Sequence, residues 1–330
     1  LLDKLKKMNQ IFIIVVVLLI LGLIAYFYFA YTPVPNKPQL SAKIEQATIQ
    51  VANQNRSYLY YIPKKLSINP ALIIALHGTG MNASRMRQWT AYEFDQLADQ
   101  QGFAVIYPNG YKGNWNDCRS DAPFPAKKEN IDDVGFIRSL VNKFRNDYGV
   151  DPGKVYVFGF SNGGQMALRL AMEEPSLVAA VSAIGANLPT PATCSCTLEG
   201  QTSRVMLVAG TKDPINPYNG GKVTLFGFKK IGTVISAQAT AESLAKRNGI
   251  ITKPLTEQMH DLKKNDLEEK NSIYTERQVW TKAGQTIVEQ YSVHGGGHVI
   301  PQPNFRFPRL MGKTSGSFDA PKQAIAFFGI

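Results

Sequence analysis

Cysteine and histidine are scarce, with 3 and 4 respectively among 330 residues. No group of them has the spacing of a zinc site, so no metal is expected. Acidic residues are also in short supply. The 25 Asp and Glu stand against 36 Lys and Arg and leave a formal net charge of +11. Such a surplus governs solubility and non-specific attraction rather than fold. The basic residues are scattered, with small clusters at Lys127-Lys128 and Lys229-Lys230, and no RNA- or DNA-binding signature accompanies them. A solvated basic surface is therefore expected, and a nucleic-acid partner is not. No internal repeat divides the chain. At 44% hydrophobic composition, 330 residues suffice for one sizeable core.

One long hydrophobic run stands apart. Residues 11–31 are apolar without interruption, about the length needed to cross a bilayer. Lys4, Lys6 and Lys7 precede it and the polar, proline-containing stretch 32–38 follows. By the positive-inside tendency the N-terminus stays in the cytoplasm and the rest is exported. A cleavable signal peptide is the rival. The run is long for one, and the aromatics of residues 25–31 suit an interfacial belt better than a small-residue cleavage site. Met8 lies inside the segment, and a start there would remove the lysines from the orientation argument. The chain thus divides into an anchor or signal segment (1–31), a linker (32–42) and a folded domain (43–330). An exported domain can hold a disulfide, and one between Cys118 and either Cys194 or Cys196 would tie two loops together and leave one thiol over. Three unpaired cysteines are the alternative.

Within the domain, residues 71–76, 105–107, 155–158, 178–184, 205–209 and 285–293 read as strands. Between and after them, 84–101, 132–146, 233–248 and 318–330 read as helices. Alternation of this kind implies an α/β fold with a mostly parallel sheet covered by helices on both faces. Residues 44–51 and 57–62 add an antiparallel start. The mixed-charge stretch 252–271, which includes His260, reads as an excursion at the surface.

The chemistry concentrates at Gly159-Phe160-Ser161-Asn162-Gly163-Gly164, directly after the strand Val155-Tyr156-Val157-Phe158 and before a helical run. A strand turning this tightly into a helix holds the serine in a strained conformation and needs small neighbours, which Gly159 and Gly163 supply. The hydroxyl is lifted above the sheet, and the N–H of Asn162 at the helix N-terminus faces any oxyanion formed beside it. A serine alone is a weak nucleophile, so an acid and then a histidine should follow in chain order. Asp213 lies in the loop just past the apolar strand 205–209, where sites of open α/β sheets form. His298 ends the flexible Gly295-Gly296-Gly297-His298 and is preferred over His294, which still belongs to the strand end. A second oxyanion donor is expected from the loop after strand 71–76, His77-Gly78-Thr79-Gly80, with the N–H of Thr79 as candidate.

Taken together, these stretches resemble the esterase family of polyhydroxybutyrate depolymerases and feruloyl or acetylxylan esterases, over residues 58–328. The matching pieces are Leu76-His77-Gly78-Thr79-Gly80, Asn114-Trp115-Asn116-Asp117, Asp133-Val134-Gly135-Phe136-Ile137, the serine turn, Gly210-Thr211-Lys212-Asp213-Pro214 with Pro217-Tyr218, and Gly295-Gly296-Gly297-His298. The resemblance implies an α/β-hydrolase fold, a Ser161, Asp213 and His298 triad, and substrate-pocket roles for Trp115, Tyr218 and Ile300. Ile300 stands where the family usually carries tryptophan, which alters one wall and leaves the substrate open. The expected substrates are small-molecule or polysaccharide-linked esters rather than solid polyester, since no linker and polymer-binding module follow. No cofactor is expected, and the membrane is a partner through the N-terminal segment. A serine peptidase of the same fold and a non-catalytic binding module are the competing readings.

Overall fold

The computed structural model describes residues 2–197, 199–259 and 273–330. It opens with an apolar helix, α1 (Leu2–Ala25), continued by a π-helical turn at Tyr26–Ala30. Strands β1 (Glu45–Val51), β2 (Gln54–Tyr61) and β3 (Leu72–Leu76) follow, then helices α2 (Ala83–Trp89) and α3 (Glu93–Gln101) and strand β4 (Ala104–Pro108). A single turn α4 (Pro125–Lys128) and the long α5 (Asp133–Tyr148) lead to β5 (Val155–Phe160), α6 (Asn162–Glu173), β6 (Ala180–Ile184) and β7 (Arg204–Gly210). The remainder comprises the hairpin β8 (Gly221–Leu225) and β9 (Lys229–Val234), helix α7 (Ala237–Arg247), strands β10 (Leu255–Met259), β11 (Tyr274–Lys282) and β12 (Gln285–His294), and the closing helix α8 (Ala320–Phe328).

Ten strands form one sheet in the order β1-β2-β4-β3-β5-β6-β7-β12-β11-β10. Strands β4 to β12 in that order pair in parallel, and two antiparallel strands flank them at each edge. The central strands are apolar throughout because both faces are covered, and alternate residues sort to the two sides. Leu72, Ile74, Leu76, Val155 and Val157 pack with α5, α6 and α7 on one face. Ile73, Ala75, Tyr156, Phe158 and Phe160 pack with α2, α3 and α8 on the other. On that second face the rings of Tyr156 and Phe328 stack at 4.7 Å and join α8 to the centre of the sheet.

Three expectations are corrected. The stretch 84–101 is two helices, because Ala91 and Tyr92 both adopt positive φ (51° and 59°) and break the first before the second begins. The stretch 233–248 starts as the end of β9 and turns helical only at Ala237, where the Ser236 side chain caps α7 by accepting from the N–H of Ala239. In 252–271, Leu255–Met259 is an edge strand paired antiparallel with β11 rather than a surface excursion. Residues 260–271, with His260, lie outside the described residues.

Candidate functional site

The parallel strands end on one rim, where the turns after β3, β5, β6, β7 and β12 meet. The β5–α6 turn carries the serine. Ser161 sits at φ 55°, ψ −118°, a conformation that costs a non-glycine residue on the order of 1–3 kcal/mol. Its neighbours show why only glycine fits beside it. A Cβ on Gly159 would come within 2.2 Å of the Gly163 carbonyl oxygen, and one on Gly163 within 2.2 Å of the Leu76 carbonyl oxygen. The serine N–H is tied to the Ile184 carbonyl at 2.8 Å, while the residue as a whole remains partly exposed.

Sequence-distant groups converge on that hydroxyl. His298 Nε2 lies 2.9 Å from Ser161 Oγ, and His298 Nδ1 lies 2.7 Å from Asp213 Oδ2. Both the Asp213 and His298 side chains are 2% exposed. The other carboxylate oxygen, Asp213 Oδ1, accepts the N–H groups of Ile215 and Asn216 at 2.8 Å each, which fixes the carboxylate plane. A carboxylate can only accept, so Nδ1 of His298 carries the proton and Nε2 is free to accept one from the serine. The loops bearing the two groups are laced together, the Lys212 N–H donating to the Gly296 carbonyl at 2.9 Å and the Gly295 N–H to Thr211 Oγ1 at 3.0 Å.

The histidine must reach from β12 across β7 and β6 to a serine on β5, and Gly185, at the end of β6, makes room. A Cβ there would lie 3.0 Å from His298 Cε1. Phe160 flanks the imidazole, with ring centroids 5.1 Å apart. Gly185 and Phe160 were not singled out in the sequence. The glycine directly after the apolar strand 178–184 was the available signal.

The loop after β3 lies against the serine, a Cβ on Gly78 meeting Ser161 Cβ at 3.3 Å, and among the described residues neither the Thr79 nor the Asn162 backbone N–H has a protein acceptor. The loop holding Thr79 is braced by His77, which is buried. His77 Nε2 lies 2.9 Å from the Gly110 N–H and Nδ1 lies 2.8 Å from the Gly78 carbonyl. One partner only donates and the other only accepts, so the tautomer is fixed with the proton on Nδ1. Burial pushes the imidazole down to about 4, outweighing the Gly78 carbonyl, which raises it.

The Asn162 side chain has a second job. It accepts the Trp115 N–H at 2.7 Å and donates to Asp117 Oδ2 at 2.6 Å, tying the serine turn to the 114–119 loop. That loop is held by Asp133, whose Oδ2 accepts the Asn116 N–H at 2.7 Å and whose Oδ1 pairs with Arg56 at 2.6 Å. It is also held by the disulfide Cys118–Cys196, which leaves Cys194 as the free thiol. The Asn114 to Asp117 and Asp133 motifs are therefore braces behind the site.

Of the three pocket candidates, two are corrected. Trp115 is fully buried, its Nε1 donating to the His77 carbonyl at 2.9 Å, and Ile300 is fully buried in the core. Neither offers a face to substrate. Tyr218 is half-buried, its hydroxyl 2.8 Å from Ser292 Oγ. His294 is stacked on Tyr274 at 4.2 Å, away from the serine's hydrogen-bond partners. Among the described residues no cluster of His, Cys, Asp and Glu could hold a metal.

Comparison with known proteins gives this arrangement its setting. The chain is 27% identical to "Putative esterase NocK" of Nocardia uniformis subsp. tsuyamanensis over 90% of this chain and 86% of that one. It is 33% identical to feruloyl esterase B of Neurospora crassa over 44% of this chain, spanning about half (49%) of that enzyme's length. With acetylxylan esterase A of Talaromyces purpureogenus it shares 31% identity over 44% of this chain and 38% of that one. The solved acetyl xylan esterase from Aspergillus awamori has the same fold, at a TM-score of 0.55 and 18% identity, over 87% of this chain and 99% of that one. The class is thereby defined as a carboxylic-ester hydrolase of the α/β-hydrolase fold. The model of the dienelactone hydrolase family matches residues 57–230, just over half of the 330, and the chain belongs to that family.

Proposed function

We propose that this chain is an exported, membrane-anchored serine esterase that works through an acyl-enzyme. The observation that carries the reading is the unbroken relay from Ser161 Oγ through His298 to Asp213, at 2.9 and 2.7 Å. Ser161 Oγ attacks the ester carbonyl carbon while His298 Nε2 takes the hydroxyl proton, and Asp213 stabilises the imidazolium. The resulting oxyanion accepts from the N–H groups of Thr79 and Asn162. His298 then returns the proton to the departing alkoxide oxygen; a water molecule, deprotonated by the same imidazole, attacks the acyl carbon, and His298 gives that proton to the departing Ser161 Oγ as the carboxylic acid leaves. Apart from the ester and that water, these steps use only the chain's own residues.

Small acyl or aryl esters, and esters decorating polysaccharides, are the proposed substrates, a choice supported by the feruloyl and acetylxylan esterases among the relatives. Export is supported by the disulfide and by the apolar helix preceded by Lys4, Lys6 and Lys7. The apolar span Lys6–Ala30, at 25 residues and about 1.5 Å per residue, exceeds the ~30 Å hydrocarbon core of a bilayer, and none of its apolar window is buried against the domain.

The test is labelling and turnover. A fluorophosphonate probe should mark Ser161, and Ser161→Ala or His298→Ala should lower hydrolysis of aryl acetates and feruloyl esters by about 10³-fold or more. Asp213→Asn should fall by about 10⁴-fold through loss of the correct tautomer, whereas His294→Ala should stay within about tenfold. An active His298→Ala beside a dead His294→Ala would overturn the assignment of the base.

A further inference from the structure

The end of the apolar helix is docked on the catalytic domain. The Arg309 guanidinium lies over the Tyr28 ring, 4.1 Å from its centroid, and Thr32 Oγ1 donates to the Arg306 carbonyl. Between them is a cavity of about 670 Å³ whose lining includes Tyr28, Phe29, Arg306, Arg309 and Lys313. The three cations are exposed, and among the described residues no carboxylate lines the cavity and none of the three makes an ion pair.

We propose that this cavity binds the phosphate-bearing headgroup of an anionic phospholipid, an inference that rests on the membrane placement given above. A spanning helix sets its terminal Tyr26-Phe27-Tyr28-Phe29 and Tyr31 at the interface, where amphipathic rings settle. The two contacts to Tyr28 and Thr32 then fix the 303–316 segment at the same depth, so its cations meet headgroups rather than bulk water. Guanidinium groups match phosphate oxygens through paired N–H donors. A zwitterionic lipid neutralises its own phosphate, so three cations that pair with no carboxylate among the described residues favour a net-negative lipid. Leu310, 46% exposed beside Arg309, gives the same segment an apolar contact for the acyl boundary.

Full-length protein reconstituted in phosphatidylcholine nanodiscs with a minor fraction of phosphatidylglycerol tests this, with spin-labelled versions of each lipid reporting which one contacts the protein. Phosphatidylglycerol should be preferred by about fivefold at ~0.1 M salt. The preference should vanish in the triple variant Arg306→Gln/Arg309→Gln/Lys313→Gln and survive in Lys4→Gln/Lys6→Gln/Lys7→Gln, which removes the basic residues at the helix's other end. Arg309→Gln alone should lose part of it, which keeps the result readable if the triple variant misfolds by circular dichroism. Selectivity that is unchanged in the Arg306, Arg309 and Lys313 variants, or that disappears with the N-terminal lysines, overturns the proposal. Complete displacement by millimolar inorganic phosphate would make this a soluble-anion site and overturn it equally. Failure of the chain to enter the discs would sink it together with the membrane placement, while ester turnover by Ser161 is decided separately by the probe.

Discussion

His77 shows how a single buried side chain that braces a site makes the stability of the fold depend on pH without touching the reacting atoms. Its ring is pushed down to about 4 from an ordinary 6.5, because burial would desolvate a charged imidazole and the positive charge of Arg56 opposes it as well. The unfolded chain takes up this proton near 6.5, the folded chain only near 4. Between those values the unfolded state binds more protons, so the contribution to stability is complete above about 6.5 and is lost as the pH falls towards 4. The loss amounts to about 3 kcal/mol at most. Asp95, pushed up to about 6 chiefly by burial, works the other way over an overlapping range, so the His77 contribution is best read as the difference between the protein and His77→Asn in urea titrations at several pH values. The His77 ring resonances should also stay at their neutral positions down to about pH 4. Titration near 6.5 would mean that the bracing of the Thr79 loop is looser than its hydrogen bonds indicate.

At the scale of elements, the loop between β4 and α4 governs how firmly the serine turn is held. It is clamped by Asn162 on one side and by the Cys118–Cys196 bond on the other, across a sequence separation of 78 residues. Opening that bond by reduction, or by Cys118→Ser, should cost about 2–4 kcal/mol in a urea titration and lower turnover as the Trp115 loop loosens. An unchanged urea midpoint in reductant would remove the disulfide from this account. The turns that bring Ser161, Asp213 and His298 together were legible in the sequence because their signals are local: an apolar run, glycine punctuation and chain order. Whether a ring faces solvent or core is not local. Trp115 and Ile300 were therefore misplaced as pocket walls, their burial being decided by partners such as the His77 carbonyl that lie far away in the chain. The break between α2 and α3 left no trace either, since Ala91 and Tyr92 take positive φ without glycine. Strands β10 and β11 escaped notice because their mixed polar pattern makes sense only once they pair at the sheet's edge.

For the whole molecule, the proposed placement of the catalytic domain outside the cytoplasm rests on the apolar helix and the Cys118–Cys196 bond, and it has a direct test. The full-length protein should fractionate with membranes, and protease added outside intact cells, or inside an opened periplasm, should digest the domain. Protection under those conditions would contradict the placement. The sheet order also has a consequence for the life of the chain before it is finished. The serine ends β5 and the acid follows β7, but the histidine follows β12, which must slot in beside β7 after the β8–β9 hairpin, α7 and β10–β11 have been made. A chain emerging N-terminus first therefore exposes its nucleophile long before its base. On the proposed mechanism, Ser161 without His298 beside it is an ordinary alcohol that leaves esters untouched. On that mechanism the site is complete only once β12 has paired with β7 and the imidazole rests over Gly185.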